Sequence, residues 1–200
     1  MPTDLVLAAI CAEAYSAPAD YSDGDVHAIR RWVDGRMVIA FRGTDLDDLD
    51  DWFRDLDICP MRHPRLGWCH RGFLSGALSV WPKIMLDLAL ARITPAPAPV
   101  ILTGHSLGGA LTIATGGLMA TGGWPPAAIV TFGAPRVGLW KLRKLLDPVT
   151  IRQYNDGGDP VPDVPWPYLH QRVPIVLQDV RGGAMRDHSI QTYQAALAGS

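Results

Sequence analysis

Gly104-His-Ser-Leu-Gly108 sets one serine between two glycines, with an apolar run before it (100–103) and a run of helical content after it (109–119). A serine held at a sharp strand-to-helix reversal is the nucleophile-elbow arrangement. The glycines leave free the space that β-carbons beside the turn would fill, and the serine backbone is strained. A phosphate-binding loop uses similar glycines, but it also needs a lysine that this segment lacks. A serine hydroxyl is a weak nucleophile until a histidine takes its proton, and that histidine needs a carboxylate to fix its tautomer and stabilise the imidazolium. Sites of this kind follow the chain order serine, acid, histidine. His27, His63 and His70 precede Ser106, which leaves His170 and His188. His105, beside the serine in the turn, points its side chain away and reads as structural. Asp147, Asp156, Asp159, Asp163, Asp179 and Asp187 all qualify as the acid, and spacing does not choose among them. Acyl transfer also needs donors for the oxyanion, and the backbone N–H of Leu107, at the start of the helix, supplies one with the helix dipole behind it.

These residues have to be positioned by the elements around them. Residues 4–15 read as an entry helix and 16–25 as a Pro/Ser/Asp/Gly loop. Residues 26–33 and 36–41 are strand-like, and Asp34-Gly35 between them is a strong two-residue hairpin signal. Residues 72–92 have helical spacing, with Pro82 as a kink or a second helix start, and the Pro-Ala alternation at 94–99 ends them. Strands at 100–103, 127–132, 150–154 and 173–180 then alternate with helices at 109–119, 139–146 and 189–198. Such alternation predicts an α/β fold with a mostly parallel central sheet and helices on both faces. A single domain over residues 1–200 fits the length.

Composition narrows the function classes. With 48% hydrophobic residues, 19% charged and a formal net charge of −2, the chain has neither the basic excess of a nucleic-acid binder nor the polarity of a disordered segment. The most apolar windows are interrupted by polar residues or glycine, so no transmembrane segment is expected, and the N-terminus lacks a signal-type run. A cytoplasmic location is the resulting expectation. Cys11, Cys59 and Cys69 are odd in number and lack Cys-x-x-Cys spacing, which predicts free thiols and no zinc site; a Cys59–Cys69 bridge stays open. No metal or organic cofactor is called for.

Phe41-Arg-Gly-Thr44, His70-Arg-Gly-Phe73, Gly104-His-Ser-Leu-Gly-Gly-Ala110, Thr131-Phe-Gly-Ala-Pro-Arg-Val-Gly138 and Asn155-Asp-Gly-Gly-Asp-Pro-Val-Pro162 occur in the order found in class 3 (fungal-type) lipases, and Asp187-His188 closes the set. From Phe41 to His188 the chain resembles a small member of that family. The resemblance implies an α/β-hydrolase fold and a serine hydrolase that cleaves carboxylic esters through an acyl-enzyme. It assigns the acid to Asp159, the general base to His188 and a second oxyanion donor to Thr44. The expected partner is a lipid or small ester, met in part by transient contact with a lipid interface. Phospholipase, thioesterase and acyltransferase activities are open to the same triad, and a catalytically silent lipid- or protein-binding module is the further alternative.

Residues 45–57 stand where the family has its lid. Leu46, Leu49, Trp52, Phe53 and Leu56 recur at steps of three and four, so a helix would gather them on one face and most of the aspartates on the other. A solvated surface helix would have the same pattern.

Overall fold

The computed structural model describes residues 1–44, 59–92, 98–177 and 184–199. Among them, nine strands form two sheets. The strands are β1 (Tyr21–Asp23), β2 (Val26–Val33), β3 (Arg36–Phe41), β4 (Pro60–His63), β5 (Gly67–His70), β6 (Val100–His105), β7 (Ala128–Phe132), β8 (Thr150–Asp156) and β9 (Ile175–Leu177). The helices are α1 (Asp4–Glu13), α2 (Arg71–Arg92), α3 (Leu107–Thr121), α4 (Trp140–Leu145), α5 (Ala184–Asp187) and α6 (Ile190–Ala198). The large sheet runs β1-β2-β3-β6-β7-β8-β9. Its first pairs are antiparallel, and from β3 onward every pair is parallel.

The β2–β3 hairpin turns on Asp34 (φ 50°) and Gly35 (φ 71°), as a two-residue turn with both central residues left-handed requires. Alternation along the strands then splits the core in two. Met37, Ile39, Phe41, Leu102 and Ile129 pack with α2 and α3 on one face, whereas Val38, Ala40, Ile101, Ala128, Val130 and Phe132 pack with α1 and α6 on the other. The parallel register aligns Phe41 with Gly104, Gly104 with Thr131, and Phe132 with Tyr154. The carboxyl ends of β3, β6, β7 and β8 therefore open on one edge, where ligands of open α/β sheets bind.

Two short elements depart from the expected pattern. β1 lies within the stretch read as a loop, and β4 pairs with β5 in a separate hairpin where no strand was expected. Pro82 neither ends α2 nor begins another helix; it is exposed, where water can satisfy the carbonyl that its missing N–H leaves. Contrary to the expectation from sequence windows, Arg71–Ala91 is long and apolar enough to cross a membrane by length and composition. Here one stripe of it, Phe73, Leu74, Ala77, Val80, Ile84 and Leu88, is buried in the core. Strand β9 begins at Ile175, and residues 178–180 of the expected strand lie outside the described residues, as does the expected lid at 45–57.

None of the three cysteines is in a disulfide, so the bridge left open between Cys59 and Cys69 is absent. Burial pushes the Cys11 and Cys69 thiols up to about 12, where almost no reactive thiolate exists at neutral pH. A thiol-disulfide reagent at pH 8 is expected to modify Cys59 first in folded protein, and all three thiols only in denaturant. Rapid modification of Cys69 in native buffer would contradict this packing.

Candidate active site

The polypeptide passes from β6 into α3 through Ser106, whose φ of 56° and ψ of −130° lie outside the ordinary regions for a residue with a side chain. Two glycines make the passage possible. A β-carbon on Gly108 would overlap the Phe41 carbonyl oxygen, and one on Gly104 would overlap the Gly108 carbonyl. The first turn of α3 is thus pressed against the end of β3. Gly43 continues the approach, since a β-carbon there would stand 3.0 Å from the Ser106 β-carbon. Thr44 follows Gly43 directly. On the other side of the serine, the Leu107 amide belongs to the first helical turn, whose N–H groups have no intrahelical acceptor.

His188, just ahead of α6, lies between Ser106 and Asp159. Its Nε2 is 2.7 Å from Ser106 Oγ, and its Nδ1 is 2.7 Å from Asp159 Oδ2. All three side chains are buried. With Nδ1–H donating to the carboxylate, Nε2 carries the free lone pair that faces the serine hydroxyl. Asp159 divides its two oxygens. Oδ1 accepts from the Val161 amide at 2.9 Å and shapes the turn, while Oδ2 accepts from His188 and from the Tyr193 hydroxyl at 2.6 Å.

Structure sorts the six candidate acids. Asp147 pairs with Arg172 and Asp163 with Arg136, each at 3.3 Å. Asp156 accepts from the Gly158 amide through Oδ1 at 3.3 Å. Asp187 is packed against Gly158, where any β-carbon would collide with its carboxylate. Asp179 lies outside the described residues, and only Asp159 reaches a histidine ring among those described. His170 lines a separate pocket with Arg136 and Arg172. The described residues contain no group of three or more His, Cys, Asp or Glu side chains that could hold a metal.

Three supporting residues were not predicted from the sequence. The Tyr193 hydroxyl, besides donating to Asp159, accepts from the Asp156 amide at 3.0 Å. As an aromatic within a helix it carried only a core signal. The Tyr15 hydroxyl meets His105 Nδ1 at 2.7 Å, and His105 Nε2 meets the His188 carbonyl at 2.6 Å. The expectation that His105 is structural therefore gains a specific content: it holds the backbone of His188. Gly133, at φ 58°, is the third residue, because a β-carbon there would lie 2.7 Å from Asp159 Oδ2 and 3.1 Å from His188 Cε1. The Phe-Gly-Ala-Pro motif was its only sequence signal.

Burial first, and then repulsion from His188, hold the His105 pKa well below its ordinary value. A histidine kept neutral in the folded state but free to protonate when unfolded stabilises the fold above its unfolded pKa of about 6.5, and that stability is lost as pH falls toward the folded value. Urea unfolding of wild type should therefore show lower stability at pH 5 than at pH 7.5, and His105→Gln should show a shallower acid-side loss. An unchanged pH slope in His105→Gln would contradict this account.

A family model described as Lipase (class 3) matches residues 38–169. Secreted mono- and diacylglycerol lipase 1 of Fusarium solani is 32% identical over 133 residues, covering 64% of this chain and 39% of that protein. Lipase A of Sodiomyces alcalophilus is 34% identical over 145 residues, covering 62% and 34%. Secreted mono- and diacylglycerol lipase 2 of Gibberella zeae is similar at 29% identity over 125 residues. The matches thus span only about a third of the length of these relatives. Two relatives carry "secreted" in their names, which overturns the cytoplasmic location expected from the sequence. Among solved structures, the Rhizomucor miehei triacylglyceride lipase superposes with a TM-score of 0.71 at 22% identity, covering 88% of this chain and 78% of that one. A triacylglycerol lipase described as having a serine protease triad superposes at 0.77 and 20% identity, covering 92% and 91%. Both likenesses support the α/β-hydrolase fold. With the family model matching well over half of its residues, the chain belongs to the class 3 lipases.

Proposed function

We propose that this chain hydrolyses carboxylic esters of the acylglycerol type through an acyl-enzyme on Ser106. The reading rests on one observation, the continuous hydrogen-bond path from Ser106 Oγ through the His188 ring to Asp159 Oδ2, with 2.7 Å at each step. Ser106 Oγ attacks the acyl carbon while its proton passes to His188 Nε2. Charge then develops on the former carbonyl oxygen. The Leu107 amide and Thr44, through its amide and hydroxyl, are the donors for that oxyanion. Collapse of the tetrahedral intermediate expels the alcohol, which takes the proton from Nε2. Water then attacks the acyl-enzyme with His188 as base, releasing the carboxylic acid and restoring the serine. Asp159 keeps the imidazole in the required tautomer, and Tyr193 keeps Asp159 in place.

The chain acts in this proposal as one α/β-hydrolase unit over residues 1–200, in an extracellular setting like that named for its secreted relatives. A fluorophosphonate probe should label wild type and not Ser106→Ala, and Ser106→Ala should lose about 10⁶-fold in kcat toward a soluble short-chain ester. Thr44→Val should lose about 10²- to 10³-fold in kcat with little change in KM, as expected for one oxyanion donor. Labelling of Ser106→Ala equal to wild type would rule out the proposed nucleophile.

Residues 45–57 are the proposed cover of the acyl groove. Leu49→Ala with Trp52→Ala is expected to alter hydrolysis of emulsified acylglycerols by more than tenfold relative to that of a soluble ester, because an apolar face meeting lipid matters only at an interface. Equal effects on both substrates would reduce the segment to a stability element.

A further inference from the structure

Charge is unevenly placed along the chain. Residues 59–71, 133–146 and 164–177 hold eight of its 18 Lys and Arg and none of its 20 Asp and Glu, in a protein with a formal net charge of −2. The fold joins these three stretches. Cys69 bridges to Gly138, and Gly138 to Leu169, so the β4–β5 hairpin, the approach to α4 and the segment before β9 lie side by side. The Lys141 ammonium donates to the Pro64 carbonyl at 2.8 Å, and Arg143 lines one shallow hollow with Tyr168 and Val173. The middle stretch starts at Gly133, packed against Asp159 and His188, so this face borders the edge that carries the triad.

Two of the eight cations, Arg136 and Arg172, are matched by Asp163 and Asp147, which flank the stretches. Arg62, Arg65, Lys141, Arg143 and Lys144 have no acidic partner among the described residues. Arg65 and Lys141 bond to main-chain carbonyls and Arg143 lies over the Trp140 ring, and none of these contacts cancels a charge. Large apolar side chains stand among the cations. Trp68 is 46% exposed, Trp140 69%, Trp166 77% and Val173 81%. Single exposed apolar residues are ordinary, but three tryptophans and a valine on adjoining segments leave a patch that calls for a partner. Tryptophan beside arginine and lysine suits a bilayer interface, where the ring lies at headgroup level and the cation meets anionic lipid. A nucleic acid would also take cations and stacking rings, yet an aliphatic side chain as exposed as Val173 offers it nothing.

We propose that this face docks the protein on an anionic lipid surface, with the three tryptophans entering the headgroup layer and the cations of the β4–β5 hairpin and α4 meeting its negative charge. The choice of lipid rests on the reading of Ser106 as the nucleophile of an acylglycerol hydrolase. The substrate of such an enzyme lies in a lipid surface, and its product, a carboxylic acid, adds negative charge there as it ionises. The face is assigned without residues 45–57.

Co-sedimentation with phosphatidylcholine vesicles, with and without phosphatidylglycerol, tests the proposal. Ser106→Ala serves as the parent, so that hydrolysis cannot alter the vesicles. Its binding is expected to require phosphatidylglycerol and to weaken as salt is raised. Trp140→Ala with Trp166→Ala should weaken binding about tenfold or more. Arg62→Gln with Lys144→Gln should weaken it about fivefold per charge removed, and both residues are exposed, which keeps the test open if the tryptophan pair fails to fold. Arg36→Gln with Lys83→Gln, and separately Trp32→Ala, remove like groups outside the face and should leave binding unchanged. Fluorophosphonate labelling of the same surface variants with Ser106 intact reads the reaction by itself. Protein that is labelled but does not bind sinks the docking face and leaves hydrolysis standing, whereas vesicle binding without labelling does the reverse. Equal binding to vesicles lacking phosphatidylglycerol, equal weakening in the outside variants, or binding of single-stranded DNA in place of vesicles overturns the proposal.

Discussion

Everything at the site depends on how closely α3 can approach β3. The first turn of α3 touches the Phe41 carbonyl, and the room exists only because Gly108 and Gly104 have no β-carbons. That contact fixes the angle at which β6 is reversed, and hence the positive φ at which Ser106 is held. It also brings Gly43 against the serine, so the strand end that leads to Thr44 is positioned by the same contact that sets the backbone of Ser106. One steric constraint therefore sets the proposed nucleophile and the proposed oxyanion donor together.

A second set of contacts is polar, and it governs His188, the proposed base. Buried imidazoles are costly unless both nitrogens are satisfied, and here both rings are. His188 spans Ser106 and Asp159, while His105 spans the Tyr15 hydroxyl and the His188 carbonyl. The two rings lie 4.8 Å apart, which favours keeping at least one of them neutral. Burial, and then the repulsion from His188, hold His105 well below its ordinary pKa. The residue adjacent to Ser106 thus supports the main chain of His188, the proposed base.

Features with a local physical signature were legible in the sequence. Asp34-Gly35 declared a hairpin because both residues tolerate left-handed backbone, and Gly104-x-Ser106-x-Gly108 declared an elbow because its neighbours form a strand and a helix. The choice of Asp159 and His188 was not a matter of local signature; it came from the family resemblance, since six acids and two histidines satisfied chain order alone. Tyr193 and Tyr15 stayed invisible because their polar ends act across the fold, over 34 and 90 residues of sequence. The β4–β5 hairpin was missed because Pro60-Met-Arg-His63 has no apolar run or two-residue turn signal. Helix α3 begins earlier than expected, at Leu107-Gly-Gly, because burial against β3 outweighs the poor helix propensity of two glycines.

The division of the core into two layers bears on how such a protein ages under heat. Ser106 leads into α3, on one face of the sheet, whereas His188 precedes α6, on the other. Their shared hydrogen bond spans two separately packed bodies and tolerates little relative displacement, because proton transfer demands near-contact geometry. In the proposed reaction, loosening of either layer would part His188 from Ser106 even with the sheet between them still paired. An engineer seeking a durable catalyst would then stitch the two faces to each other before reinforcing either one.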